Sequence, residues 1–316
     1  MNAGVVTLAV PCRTDEPALG RTLAAAWSSW RAAPQGSVRQ LETLVCLNGR
    51  APVERTLDQL LAFGRAHGLT TADIDLDAAP FPGVAGATTA TLIALRTRRE
   101  GKAMAWNALR RRARGAVAIF MDADVSFASD AFGLLLQALD EHPEAVLASA
   151  KTTCDARPTA FERVMAAPYG IDFPNLSAQL YAARMDALPA EMPDDLLEPE
   201  RWLELTVGAD RVVRAPGARV VVRLPSTLRD FFRQRIRIEM AKVQLAVEHG
   251  HLAGRGAAQP GLGAALRGLR ATDVLRLGVY LALRESAHVV ARRRYAQGRT
   301  AGIWAQAGST KRWETP

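Results

Sequence analysis

Apolar and polar positions alternate between two periods along the first half of the chain. VVTLAV (5–10) is a short, mostly β-branched apolar run that stops at Pro11, the composition of a buried strand. ALGRTLAAAWSSWRA (18–32) then places Leu19, Leu23, Trp27 and Trp30 at three- and four-residue spacing, which predicts an amphipathic helix. The pair repeats. LETLVCLNG (41–49) reads as a strand halted by Asn-Gly, and VERTLDQLLAFGRAHG (53–68) as a helix with a glycine stop. TLIALRT (91–97), GKAMAWNALRRRA (101–113), AVAIFMDADV (116–125), DAFGLLLQALDEH (130–142) and AVLASAKTT (145–153) continue it as strand, helix, strand, helix, strand. Continuous apolar strands between amphipathic helices predict an α/β fold, a mostly parallel sheet with helices on both faces. In such sheets ligands sit beyond the carboxyl ends of the strands. From about residue 155 the pattern loosens. It recovers with a strand-like RVVRAPGARVVVRLP (211–225) and a long helix, 226–250; GAAQPGLG (256–263) reads as a linker.

Composition narrows the class. At 316 residues, 49% hydrophobic and 23% charged, the chain reads as globular. No apolar run approaches the roughly 18 residues that cross a bilayer, and the N-terminus lacks a signal-peptide pattern. Cys12, Cys46 and Cys154 are far apart with no CxxC. That excludes a disulfide framework or zinc site, predicts buried structural thiols and fits a cytoplasmic protein. The net charge of +8 is local: residues 251–316 hold eleven Arg and Lys against three acids, 11 − 3 = +8, so the first 250 residues balance. The balance argues against a nucleic-acid-binding body, while one reading of TDVLRLGVYLALRESAHVVARRR (272–294) is a basic helix on an anionic membrane surface. A helix packed on the body with a solvated arginine fringe is the alternative.

Two constellations carry chemistry. Asp122-Ala123-Asp124 closes an apolar strand, and alternation along that strand would point both carboxylates one way, where a hard divalent cation could bridge them. Without a cation the pair would serve as a strand-to-helix turn. Gly101-Lys102 opens the preceding helix, where backbone N–H groups and an ammonium suit phosphate; a P-loop is absent. An ordinary exposed helix start is the other reading.

In order, VVTLAVPCRTDEPALGRTL, LVCLNG and GKAMAWNALRRRARGAVAIFMDADV resemble the nucleotide-sugar-binding half of inverting, family 2-like glycosyltransferases with the GT-A fold. NLSAQLYAARMDAL (175–188), MPDDLLEPERWLEL (192–205) and APGARVVVRLPSTLRDFFRQRIRIEM (215–240) are similar to their downstream motifs, with Ala178 in place of a glycine, Glu-Pro-Glu in place of the acidic pair and Ile238 in place of a tryptophan. The resemblance covers about residues 4–245. It implies a nucleotide-sugar-binding half (1–154), an acceptor-binding half of the same domain (155–250) and a basic helical extension (251–316). It also implies Mg²⁺ or Mn²⁺ on Asp122 and Asp124, and a donor, a UDP-sugar foremost, held by Pro11, Arg13, Asp15, Glu16, Gly101, Lys102, Asn107 and the Asp122-Ala123-Asp124 turn. Arg184, Gln234 and Arg237 would serve the acceptor or the diphosphate. Glu200, with Glu198 in reserve, would be the base that accepts a proton from the hydroxyl of a glycan, lipid or small-molecule acceptor, at the cytoplasmic face of a membrane or free of it. Asp15 and Glu16 could equally cap the first helix, and Gln234 and Arg237 could belong to an ordinary amphipathic helix. The acid usual after the second strand is missing, with Arg50 in LNGRAP. A sugar nucleotidyltransferase, or a module that binds nucleotide sugars without turnover, are the alternatives; the first lacks its Gly-x-Gly signature in PCRTDEPALGRTL.

Overall fold

The computed structural model describes residues 2–33, 40–78, 91–155, 159–171, 175–258, 266 and 269–298. Strands β1 (Asn2–Arg13), β2 (Gln40–Asn48), β3 (Thr71–Asp75), β4 (Leu92–Thr97) and β5 (Gly115–Met121) alternate with helices α1 (Leu19–Ala32), α2 (Glu54–Ala66) and α3 (Lys102–Arg112). There follow β6 (Ser126–Phe127), α4 (Ala131–Glu141), β7 (Leu147–Cys154), α5 (Ala160–Ala166), β8 (Leu180–Arg184), α6 (Pro199–Val207), β9 (Val212–Val222), α7 (Leu228–Glu248) and α8 (Ala271–Ala296). Of the expected linker, residues 259–263 lie outside the described residues, as do 299–316 of the basic extension.

The sheet runs β3-β4-β2-β1-β5-β8-β7-β9-β6. β3, β4, β2, β1 and β5 pair in parallel, whereas β8 is antiparallel to both β5 and β7. The expected α/β sheet is therefore present, and it is mixed. Side-chain alternation assigns its faces. Val6, Leu8, Val10 and Cys12 of β1, Val45 and Leu47 of β2, and Ile119 and Met121 of β5 join one buried core with α1, α2 and α4. On the other face Trp106 of α3 stacks on Phe120, which stacks on Tyr181 of β8.

Two strand expectations are corrected. β1 does not stop at Pro11 but runs on to Arg13, with Pro11 opposite Cys46. β5 pairs with β1 no further than Ala9, so Pro11 sits where the strand has lost one neighbour and a missing N–H is tolerated. β5 ends at Met121, so Asp122 and Asp124 lie in the turn after it. Strand alternation does not orient them. Cys12 and Cys46 are buried and unoxidised, and burial followed by Asp77 pushes the Cys46 thiol up to about 12; Cys154 is partly buried.

The chain divides into two compact units, Met1–Lys151 with Leu176–Val220, and Thr152–Asn175 with Val221–Pro316. The first holds the parallel strands, α1–α4, β8 and α6. The second has its own small core of Met165, Leu224 and Phe231, against which Tyr280 and Leu283 of α8 pack.

Candidate active site

The parallel strands β1, β2, β4 and β5 all end at one edge of the first unit, and polar side chains stitch the chain together there. Asn48, the last residue of β2, donates from Nδ2 to the Gly101 carbonyl at 3.1 Å. That carbonyl also accepts the amide of Ala105 at 3.2 Å. Gly101 itself stands at φ +132°, left-handed backbone that favours glycine. The outcome is a fixed launching point for α3, whose first residue is Lys102.

The ammonium of Lys102 then collects distant parts of the sequence. It lies 2.6 Å from Asp122 Oδ1 and 2.7 Å from Glu200 Oε1, and it donates to the Ala178 carbonyl at 2.8 Å. These contacts engage all the protons an ammonium can donate. The Lys102 side chain is 21% exposed and that of Glu200 only 5%. Burial opposes the Lys102 charge, but Asp122 and then Glu200 outweigh it, and its pKa ends raised. Glu200 moves in the direction burial dictates: its pKa is raised, with Lys102 pulling it back and Asp122 adding to the rise. The acidic segment at 198–200 is thus no solvated loop, because Glu200 in the first turn of α6 points into protein.

Buried polar contacts hold α6 in that position. Asn107 Nδ2 donates to the Met192 carbonyl and to Asp194 Oδ1, both at 2.8 Å, while its Oδ1 accepts the Met192 amide at 3.0 Å. Arg99 pairs with the other oxygen of Asp194. Glu204, one turn after Glu200 and 1% exposed, accepts the Leu176 amide at 3.2 Å and Arg201 Nη1 at 2.7 Å. Below Lys102, Trp106 Nε1 donates to the buried Tyr181 hydroxyl at 3.0 Å. Burial first and Glu200 second raise the Tyr181 pKa, so the phenol stays neutral. Asn107→Ala should strand the Met192 amide and carbonyl, and urea unfolding is expected to register a loss of about 1–3 kcal/mol. An unchanged midpoint would remove Asn107 from this framework.

The structure thus brings Gly101, Lys102, Asn107, Asp122, Ala123, Asp124 and Glu200 into one region of the first unit. Ala123 is buried in the turn, and the Asp122 amide donates to the Gln179 carbonyl at 3.0 Å. Asn107 holds neighbouring chain rather than offering itself to a ligand. Glu198 is the residue before α6, and its carbonyl accepts the Trp202 amide. At the end of β1, Arg13 Nε pairs with Asp15 at 2.9 Å and Glu16 accepts the Ala18 amide at 3.1 Å. Glu16 therefore ties the turn that leads into α1, whose own first turn has no side-chain cap. Arg184 does not join the group. It stands opposite Val117, at the far end of β5 from Asp122, and donates to the carbonyls of Ala145 at 3.1 Å and Leu139 at 2.6 Å. Gln234 and Arg237 lie on α7 in the second unit, whose Phe231, Ile236 and Met240 face inward. Asn48, Ala178, Tyr181, Asp194 and Glu204 are the contributors that sequence reasoning missed. Buried acids one helical turn apart at 200 and 204 were a readable signal; a backbone carbonyl was not.

A mixed α/β sheet with polar groups gathered at the carboxyl edge of its parallel strands is the GT-A arrangement, and residues 90–190 match the family model described as glycosyl transferase family 2. That match covers about a third of the chain, and the fold as a whole is of the GT-A type. Among solved structures it is similar to a mannosyltransferase from Pyrobaculum calidifontis in complex with GDP-mannose and Mn²⁺, at 20% identity over 96% of this chain and 82% of that one, with a TM-score of 0.55. It is also similar to glucosyl-3-phosphoglycerate synthase from Mycobacterium tuberculosis with Mg²⁺ and UDP, at 14% identity, 78% and 79% coverage, and a TM-score of 0.50. No curated protein matches the sequence.

Proposed function

We propose that the protein transfers a sugar from a nucleoside-diphosphate donor to an acceptor hydroxyl with inversion, Glu200 serving as general base. The observation that carries this reading is the buried Glu200 carboxylate, 2.7 Å from Lys102 and linked through it to Asp122 at the carboxyl edge of the sheet. An attacking hydroxyl must shed its proton as it meets the anomeric carbon. A carboxylate whose pKa is lifted by burial accepts that proton more readily than a solvated one. One base acting on an in-line attack requires no covalent sugar–enzyme intermediate, and inversion follows. Lys102 opposes the effect of burial on Glu200 and holds it in register with Asp122.

A divalent cation fits the residues present. One ammonium against three carboxylates, Asp122, Asp124 and Glu200, leaves a charge of −2 in this region when all are ionised. Oxygen donors from one or two carboxylates, completed by substrate phosphates, are the usual setting for Mg²⁺. Among the described residues no cluster forms an all-protein cage. Asp124 and Asp122 would hold the ion, whose chemistry is positive charge set against a leaving nucleoside diphosphate. The Mn²⁺ and Mg²⁺ complexes of the two similar structures support that assignment. The acceptor belongs to the glycans, lipids or small molecules that offer a nucleophilic hydroxyl.

Release of nucleoside diphosphate from a panel of UDP-, GDP- and dTDP-sugars with Mn²⁺ tests the reaction; release of pyrophosphate instead would make it nucleotidyl transfer. Calorimetry tests the metal site. Binding of the cognate nucleoside diphosphate is expected to weaken at least tenfold, on the order of a single lost charge contact, in Asp124→Ala or when Mn²⁺ is chelated. Equal affinity with and without Mn²⁺ in the unaltered protein would remove the metal from the proposal.

A further inference from the structure

Helix α8 leaves four of its larger aliphatic residues exposed. Its buried residues are Leu277, Ala287 and Ala291, and much of its contact with α7 is polar. Arg235 Nη1 donates to the Tyr280 hydroxyl at 3.0 Å, His288 Nδ1 lies 3.2 Å from Glu239 Oε2, and Tyr295 donates to Glu248. In the opposite direction point Leu275, 72% exposed, Val289 at 50%, Val279 at 45% and Val274 at 38%. At the roughly 100° per residue of an α-helix, Leu275, Val279, Ala282 and Val289 share a stripe about 80° wide. The stripe runs out at Arg293, with Arg292 and Arg294 fanned to either side, all exposed. A helix at home on a soluble surface turns such a stripe toward the core.

We propose that this face of α8 docks flat on an anionic lipid surface, with Leu275, Val279 and Val289 at the acyl boundary and the arginines among the phosphates. The inference does not depend on the sugar-transfer reading. Charge chooses the occupant. Residues 251–316 carry the whole +8 of the chain, so a second copy set against this face would oppose arginines with arginines in either orientation. An anionic bilayer supplies the opposite sign together with an apolar layer for the stripe. Among the described residues no helix is long and apolar enough to cross a membrane, which leaves α8 to lie along the surface. Past α8 the sequence adds Arg299, Lys311 and Arg312 with Trp304 and Trp313, the cation and indole combination favoured at bilayer interfaces.

The test is co-sedimentation of the full chain with phosphatidylcholine vesicles containing either no anionic lipid or about 30% phosphatidylglycerol. Binding is expected on the anionic vesicles only, and about 0.5 M salt should release most of it. Arg292→Gln, Arg293→Gln and Arg294→Gln together should weaken it roughly a hundredfold. Leu275→Glu with Val279→Glu should weaken it at least tenfold, on the order of the lost apolar contact. Far-ultraviolet circular dichroism and melting curves establish that the variants fold; if either variant unfolds, salt release from the unaltered protein decides. Failure to bind anionic vesicles, or binding that ignores both sets of substitutions, overturns the proposal. So would a dimer that Leu275→Glu with Val279→Glu dissolves in a protein that ignores vesicles, because the face would then belong to a second copy.

Discussion

Glu200→Gln is expected to lower sugar transfer by roughly 10²–10⁴-fold, the range a positioned general base contributes, while binding of nucleoside diphosphate with Mn²⁺ stays within a few-fold. Glutamine keeps the shape of the side chain and can still accept a hydrogen bond from Lys102, so fold and donor site should survive. Only proton acceptance is lost. Glu198→Gln provides the contrast, since Glu198 stands at the start of α6 rather than beside Lys102, and its turnover should remain within about tenfold of the unaltered protein. Rapid-quench measurement of transfer, alongside calorimetry, separates the two effects. Full activity in Glu200→Gln would hand the role of base to another group.

The second large effect concerns Lys102. Lys102→Met removes the one cation between Asp122 and Glu200 and leaves a buried carboxylate uncompensated. Breaking a buried pair in this way costs about 3 kcal/mol, and turnover should fall at least a hundredfold because the Glu200 carboxylate, without its cation, is held less firmly in its ionised form and out of register with Asp122. The sign with pH follows from the direction of each shift. In the unaltered protein the pKa of Lys102 is raised, so its contribution to stability is complete below its unfolded value and is lost only as pH rises through the higher folded value. In Lys102→Met the pKa of Glu200, already raised by burial, climbs further. A raised carboxyl contributes stability at low pH that fades as pH increases through the folded value. The variant should therefore melt closest to the unaltered protein in acid and fall behind toward neutrality. The acid limb of its activity profile should also move upward. Lys102→Arg, which keeps the charge, should recover the melting behaviour better than the turnover. Parallel melting curves across the pH range would show that Lys102 does not govern Glu200.

Much of the fold was legible because the parallel strands are buried on both faces and leave uninterrupted apolar runs such as LVCLN and AIFM. What escaped reading had weaker patterns. β3, TADID, is a half-exposed edge strand whose side chains alternate toward solvent. β8, LYAAR, is short and owes its place to antiparallel partners on either side. The proximity of Lys102 to Asp122 could be anticipated, since one helix and one strand separate them. The contact with Glu200 could be expected only through resemblance, because it depends on Asn107 and Asp194 folding the 192–200 segment back. Strand pairing set Arg184 apart: its register with β5 sends it to the end of that strand away from Asp122. Pro11 and the Asp122–Asp124 turn were misjudged by local rules that neighbouring strands override.

The antiparallel insertion of β8 also has a consequence for how the chain assembles during synthesis. β5 ends at residue 121, whereas the strand that covers its open side ends at residue 184. At the roughly 5–20 residues per second of translation, the intervening chain emerges over some 3–12 seconds. Throughout that interval Ile119, Phe120 and Met121 border an unpaired edge, the kind of surface that recruits other nascent chains. The same late strand arrives with Ala178 and Gln179, whose carbonyls receive Lys102 and the Asp122 amide. Sheet closure and ordering of the Lys102 ammonium are therefore one event in time, and a ribosome that stalls before residue 180 leaves both undone.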